Sequence, residues 1–527
     1  MTTQQHHLPT AEAAVQQAAR EIAAVPMPRG GRSAAIPDRH AVGAGLRTRP
    51  NTGARLNESD ALLWNIECDP CLRSTIVAVS LLDGTPDWAS LRDRVLAACQ
   101  QVPRLRQKVV ETPGRLAPPS WQFDEHFDID YHLRRAVVPS PGDVRAVLDM
   151  AGPMAMTAFD KDRPLWEFTL VEGLDGGRSA FVQKVHHSFT DGVGGVKLTQ
   201  LLLDDIVEGA EGRRRDPLPA SPAGSRANRT VAPDRTAGRL VAAISSVASE
   251  VRLTAAFSVR SMMAAPGLAS HAIQHPTQLI GQTVRSVQSV AKLLAPVSTP
   301  LSTVMTERGM ARRLDQFDVP LDALLAAAHA AGSSLNDAFL AGISGGMRRY
   351  HDHHGAPVDA LRVTMPINVR RAGDALGSNH FVPARIVIPI STVDAADRMR
   401  ELGVLATAWR REPALSFSDV IAGALNRLPI TATTSIFGGM LKAVDLVATN
   451  VPGIHQRVAL SGVEVIREYG FAPPSGAAFS IALLSHGPTC CIGVNIDTEA
   501  VGDPDVLVRC LVDGFAEVLA VGSGAVR

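Results

Sequence analysis

The 527-residue chain is short of several things, and each shortage removes a class of function. It has no charge surplus: 52 Lys and Arg stand against 52 Asp and Glu, for a formal net charge of +0. Nothing global points to nucleic acid, so any charged partner has to be met by a local patch. No uninterrupted apolar run is long enough to span a bilayer. The opening MTTQQHHLPT lacks the apolar core of a signal peptide. The six cysteines are scattered, and Cys68-Asp-Pro-Cys71 has no second CxxC to complete a zinc site. The expectation is a cytosolic chain with plain reduced thiols, able to touch a membrane surface.

With 46% hydrophobic and 20% charged residues, the composition is that of a globular protein with a buried core. The length exceeds what one core usually supports, so two domains are expected. Residues 1–55 mix Ala, Gln, Arg, Pro and Gly with little apolar periodicity and read as a disordered leader. Order begins near LNESDALLWNIE (56–67), where Asn57 or Ser59 can cap a helix. Up to 205, strand-like STIVAVSLL, EFTLVEGL and AFVQKVHH alternate with helical DWASLRDRVLAAC and GVKLTQLLLDDI, an α/β pattern. Residues 206–300 read as a linker, by composition at 208–235, followed by connecting helices. From 301 to 527 a capped helix (SSLNDAFLAGISGGMRRY) and the strands LRVTMPI, ARIVIPI and CCIGVNI form a second α/β domain.

The stretch QKVHHSFTDGVGG (183–195) lies between a strand over Ala180–Val185 and an amphipathic helix over Gly192–Ile206. A strand-to-helix turn is a usual place for site residues in α/β proteins. Neighbouring side chains on an extended segment face opposite ways, so His186 and His187 cannot share one channel. If His187 faces the site, Asp191 begins the helix, where free N–H groups and the dipole favour a carboxylate. Glycines at 192, 194 and 195 would keep side chains out of that space. The competing reading makes Asp191 or Thr190 a simple cap and both histidines core residues. HxxxD by itself is weak evidence, since about one match is expected by chance in a chain this rich in histidine.

The longer pattern HHxxxDG, present as His186-His187-Ser188-Phe189-Thr190-Asp191-Gly192, is far more specific. With DRPLWEF (Pro164, Leu165, Trp166), LNESDALLW, PRLRQKV, the Asn336-Asp337 pair, MPINVRR, GSNHF and TNVPGI, the sequence resembles the bacterial wax ester synthase/diacylglycerol acyltransferase family. That resemblance implies a chloramphenicol-acetyltransferase-like fold: two α/β domains, each a mixed sheet flanked by helices, with the active-site channel between them. It also implies transfer of a long-chain fatty acyl group from acyl-CoA to diacylglycerol or a long-chain alcohol. Acyl-CoA is then a co-substrate, with no further cofactor and no metal. By the same resemblance His187 is the general base and later protonates the departing CoA thiolate. Asp191 is implied to point away from substrate and to pair with an arginine, for which Arg370 in PINVRR is the expected partner. His186, Gly192, Pro164, Leu165 and Trp166 are expected to support the loop or pack around the channel. Asn336 is expected in the site, although Ser334-x-x-Asp337 is itself a capping box.

Rival motifs point elsewhere. HDHHG (His351, His353, His354) lacks acidic partners and reads as an exposed loop rather than a metal site. Gly342-Ile343-Ser344-Gly345-Gly346 matches the GxSxG of esterases, which requires a strand directly before the serine. The residues before it, NDAFLA, look helical, so a hydrolase using Ser344 is the weaker alternative. The other alternative is a family member without turnover that only binds acyl chains or lipid surfaces. Between Thr236 and Pro300 five basic residues (Arg239, Arg252, Arg260, Arg285, Lys292) face one acid, Glu250, among apolar residues at helical spacing. Basic amphipathic helices can lie in a bilayer interface, which would give peripheral attachment to membrane or lipid droplet; the competing reading packs these helices on the two domains and leaves their arginines solvated. Reversing Arg239, Arg252 and Arg260 to Glu should weaken sedimentation with anionic vesicles and leave turnover of detergent-dispersed substrate largely intact. Unchanged vesicle binding would reject the segment as the anchor.

Overall fold

The computed structural model describes residues 54–112, 118–206, 299–368, 381–410, 422–423 and 425–524. The expected leader, nearly all of the 206–300 connection with its basic helices, and Arg370 lie outside the described residues. Among those described, the first half supplies β1 (Thr75–Leu82), β2 (Gln107–Val110), β3 (Ser120–Phe123), β4 (Leu133–Val137), β5 (Trp166–Leu174), β6 (Arg178–His186) and β7 (Leu203–Asp205). The second half supplies β8 (Arg312–Pro320), β9 (Ala360–Asn368), β10 (Phe381–Pro389) and β11 (Leu446–Ile454). After these come β12 (Val458–Leu460), β13 (Val463–Phe471), β14 (Phe479–His486) and β15 (Thr489–Asp497).

The helices that matter for the site begin where the sequence provides a cap. For α1 (Glu58–Ile66), the Asn57 side chain accepts from the Asp60 amide at 2.6 Å. For α2 (Trp88–Gln101) and α3 (Val144–Met156), Asp87 and Asp143 do the same. The following helix, α4, spans Gly192–Leu202. The second half adds α5 (Leu321–Ala330), α6 (Leu335–His353), α7 (Ala395–Arg410) and α8 (Pro504–Gly524). Ser334 and Asp337 form the expected capping box at the start of α6.

Apart from β2 and β3, which pair with each other, the strands make two mixed sheets. The first runs β4-β5-β6-β1-β13-β12-β7, and the second β10-β9-β11-β14-β15-β8. On the first sheet α3 covers Val77, Val79 and Val182 on one face. Helices α2 and α4 cover Phe181 and Val185 on the other. Helices α5, α6 and α8 pack on the second sheet. Burial on both faces explains why β1 reads as a nearly continuous apolar run.

The structure departs from the expected layout in two ways. Strands β12 and β13 come from the second half of the chain yet complete the first sheet, with Val79 opposite Tyr469. A sequence division at 206–300 therefore does not separate the two sheets, because strand pairing is non-local and leaves no mark in composition. The helix expected to reach 206 stops at Leu202, and Leu203 pairs with Leu460 of β12 instead. Three apolar-polar residues suit either state, and the available strand edge decides.

Two rival motifs also find structural uses. Ser344 sits mid-helix in α6, with its hydroxyl donating to the Pro389 carbonyl at 2.8 Å, so no nucleophile elbow exists there. The glycines around it serve packing: a Cβ at Gly342 would lie 2.8 Å from the Phe515 ring, and one at Gly346 2.7 Å from the Leu511 backbone. Both let α8 approach α6 closely. His351 corrects the exposed-loop reading of HDHHG. It is fully buried in the last turn of α6, between the Ser302 hydroxyl at 3.0 Å and the Met347 carbonyl at 2.8 Å.

The sheets cross where β13 meets β15. A Cβ at Gly493 would stand 2.2 Å from the Gly470 carbonyl oxygen, too close for any side chain. Gly493→Val should therefore lower stability by roughly 1–3 kcal/mol through overpacking. Gly502→Ala, which meets nothing within 4 Å, should stay within about 0.5 kcal/mol of wild type. Thermal or urea unfolding checks both, and an unchanged Gly493→Val would contradict the close crossing.

Candidate active site

Strand β6 carries the two histidines to its end while hydrogen-bonded on both sides. The His186 amide donates to the Leu165 carbonyl at 3.1 Å, and the His187 amide to the Ser74 carbonyl at 2.7 Å. Alternation then sends the two rings to opposite faces. His186 is buried, with Trp64 and Phe159 edge-on at 5.9 and 6.0 Å. Its Nδ1 accepts from the Ser188 amide at 3.0 Å, and its Nε2 meets the Glu67 carboxylate at 2.9 Å. Burial would raise the Glu67 carboxyl, but His186, the Ser74 amide and Lys161 together hold it below its ordinary value. His186 and Glu67 are thus a buried, mutually satisfied pair.

His187 faces a cavity of about 320 Å³ whose wall draws on both sheets, α1, α4 and the segment from Ala422 to Val444. Most of the wall is aliphatic, including Leu62, Leu63, Ile76, Val185, Leu441 and Leu484. The His187 side chain is half-buried and lines this cavity. Burial pushes its pKa down to about 4. A ring hydrogen bond to its own backbone and the nearby Asp191 charge act in the opposite direction, and His186 adds to the lowering.

The turn that follows is tied down at each step. The Phe189 amide donates to the His186 carbonyl at 2.9 Å. Arg104 donates to the Phe189 carbonyl at 3.4 Å and lies over Trp121 at 4.6 Å. Asp191 then caps α4, accepting from the Gly194 amide at 2.7 Å, and borders the cavity. A side chain at 192 would collide with Val451 at 2.8 Å, and one at 194 with the Thr190 hydroxyl, whereas position 195 has ordinary room. Two of the three glycines are therefore sterically required.

The remaining expected residues fall into two groups. Pro164, Leu165 and Trp166 are buried and absent from the cavity wall. They brace β6: Trp166 stacks on His132 at 4.6 Å and donates from its indole nitrogen to the Leu105 carbonyl at 2.8 Å. Asn336 and Asp337 are not brought to the cavity. Asp337 is engaged in the capping box, and the Asn336 amide nitrogen is buried without a partner among the described residues. The cavity wall also holds Arg385 of β10 and Glu468 of β13, neither of which any motif marked. Glu468 is 2% exposed, and burial pushes its carboxyl up to about 7.

His187→Ala should reduce kcat/KM by ~10²–10⁴ while the protein stays folded. His186→Ala strands the Glu67 carboxylate in the interior, so its main effect should be a lower melting temperature with a smaller loss of rate. Equal rate losses in folded variants would contradict the opposite facing of the rings. Because the lowered pKa keeps His187 neutral above about 4, kcat/KM should hold as pH falls through 6.5 and drop only near 4. An acid limb centred at 6.5 would mean that the ring is solvated like free imidazole.

Comparisons with known proteins meet this geometry. The family model described as wax ester synthase/diacylglycerol acyltransferase catalytic domain matches residues 56–339, and that of the WS/DGAT C-terminal domain matches 378–518. A putative diacylglycerol O-acyltransferase of Mycobacterium tuberculosis is 34% identical over 480 residues, 90% of this chain and 94% of its own length. Among solved structures, the wax ester synthase/diacylglycerol acyltransferase of Marinobacter aquaeolei matches with a TM-score of 0.56 at 18% identity, covering 89% of this chain and all of that one. The first condensation domain of the calcium-dependent antibiotic synthetase matches with a TM-score of 0.56 at 14% identity, over 89% of this chain and 96% of that one. At such identities these two likenesses concern the fold, which is chloramphenicol-acetyltransferase-like.

Proposed function

Since this chain belongs to the wax ester synthase/diacylglycerol acyltransferase family, we propose that it moves a long-chain fatty acyl group from acyl-CoA to diacylglycerol or a fatty alcohol, with His187 as general base. The chain is an O-acyltransferase. The observation that supports this assignment of roles is a histidine held neutral by burial and facing a mostly apolar cavity. Its Nε2 takes the acceptor's hydroxyl proton as that oxygen attacks the thioester carbonyl. The C–O bond forms, the C–S bond breaks, and the imidazolium returns the proton to the departing thiolate. The net change is one ester and one thiol, so the reaction needs neither a metal nor a covalent enzyme intermediate.

Other residues take supporting roles in this reading. His186 with Glu67, Arg104, Gly192 and the Pro164-Leu165-Trp166 brace fix the turn, and Asp191 caps α4 beside the base. Residues 56–205 and 301–527 act as the two acyltransferase halves, joined by 206–300. No described helix is long and apolar enough to cross a membrane. The product is insoluble in water, which favours peripheral attachment to membrane or lipid droplet through the basic segment.

The decisive assay follows free thiol from long-chain acyl-CoA, with and without diacylglycerol or hexadecanol. Release that depends on an acceptor is expected. Acceptor-independent release would indicate a hydrolase, and no release would indicate a non-catalytic binder; either overturns the proposal.

A further inference from the structure

Glu468 is a carboxyl group placed where a hydrocarbon tunnel has no use for one. It lies on β13, 2% exposed, in the wall of the same cavity that His187 lines. Its Oε2 atom has no hydrogen-bond partner among the described residues. A buried polar group left unpaired is destabilising, so a position this buried would ordinarily hold an aliphatic residue. Of the wall residues in the next row of the sheet, Ala78 and Gly470 are apolar and Gln183 is polar but uncharged.

Strand register locates Glu468 relative to the base. Phe181 of β6, Ser80 of β1 and Glu468 of β13 stand in one row across the sheet. His187 lies six residues further along β6 on the same face as Phe181. At ~3.3 Å per residue along a strand and ~4.8 Å between strands, the imidazole and the carboxyl are roughly 20 Å apart. An extended hydrocarbon advances ~1.3 Å per carbon, from ~1.5 Å bonds at near-tetrahedral angles, so this span holds about 15 carbons.

We propose that Glu468 is a specificity-determining residue that hydrogen-bonds an oxygen function, hydroxyl or keto, carried near the far end of a long-chain substrate. The inference rests on the acyltransferase reading for which chain is transferred, but the binding it describes does not require turnover. A carboxyl raised to about 7 by burial keeps a substantial protonated fraction near neutrality, and in that form it both donates and accepts. A hydroxyl or keto oxygen fits it; a plain methyl terminus leaves it unpaired. The oxygenated chain can be the acyl donor or the alcohol acceptor, since both have to reach His187.

The test measures binding of hexadecanoate against 16-hydroxyhexadecanoate, and of hexadecanol against hexadecane-1,16-diol, to the full chain by calorimetry. Wild type, Glu468→Gln and Glu468→Leu are compared. Wild type should bind the oxygenated member of at least one pair about tenfold tighter or more. Glu468→Gln, which keeps a neutral donor and acceptor, should retain that preference. Glu468→Leu should abolish or invert it, while its melting temperature holds or rises. The pair that responds identifies the donor or the acceptor as the oxygenated chain. Turnover of unsubstituted hexadecanoyl-CoA, measured alongside, reports on the acyltransferase reading independently. Equal ratios in wild type and Glu468→Leu for both pairs overturn the proposal, and so does loss of the preference in a folded Glu468→Gln.

Discussion

The 2.7 Å hydrogen bond from the His187 amide to the Ser74 carbonyl fixes which histidine meets the cavity. Strand side chains alternate with a period of two, so slipping the ladder by one residue would exchange the two rings. His186 would then face the aliphatic cavity, and His187 would be set against Trp64, Phe159 and Glu67. The opposite edge of the strand is held by the His186 amide on the Leu165 carbonyl at 3.1 Å. Trp166, next in sequence, is anchored in turn to the Leu105 carbonyl at 2.8 Å. The Pro164-Leu165-Trp166 block therefore influences the base without touching the cavity, by locking the register of the strand that carries it.

The same economy governs the approach of the two sheets. Strands β12 and β13 leave the second half of the chain to complete the first sheet, which places β13 against β15 at the Gly470–Gly493 crossing. The wall beside that crossing is common to both sheets, and the cavity needs each of them. Gly192 extends the principle to the catalytic turn, because only the missing side chain lets Val451 of β11 come near. An α/β layout of two independent halves would have left the turn open on one side.

Local features were legible in the sequence, and non-local ones were not. Asn57 and Ser334 cap the helices they were expected to cap, since capping is decided within four residues. The strand–turn–helix around His187 follows from the alternation of AFVQKVHH and the caps after it. The exchange of β12 and β13 could not be read, because strand partners are chosen by packing across hundreds of residues. Glu67, Arg104 and Glu468 were missed as functional candidates for a related reason. Each is a single polar residue in an ordinary segment, and its meaning comes from what the fold sets beside it. GISGG was legible as helix despite its esterase-like spacing, because the residues before it already carry a helical pattern; close helix packing and a nucleophile elbow call for glycines at the same spacing. His351 likewise looked exposed because its neighbours His353 and His354 are polar, while the turn of α6 carries it inward.

One cause, removal from water, acts on both ionisable groups that bracket the cavity, with opposite results. It lowers the imidazole of His187 to about 4 and raises the carboxyl of Glu468 to about 7. Each moves toward its neutral form, which suits a space built to receive hydrocarbon. Neutrality has a consequence for the base, however. In the proposed mechanism His187 becomes an imidazolium for a moment, and an apolar cavity opposes that charge. Two influences in the structure favour the charged ring: its bond to its own backbone and the nearby Asp191 carboxylate. Asp191 in turn accepts from the Gly194 amide at the N-terminus of α4, a helix end that favours negative charge. The spacing of four residues between His187 and Asp191 thus has an electrostatic reason as well as a steric one. The helix end supports the carboxylate, the carboxylate supports the transient imidazolium, and the rest of the cavity can stay apolar.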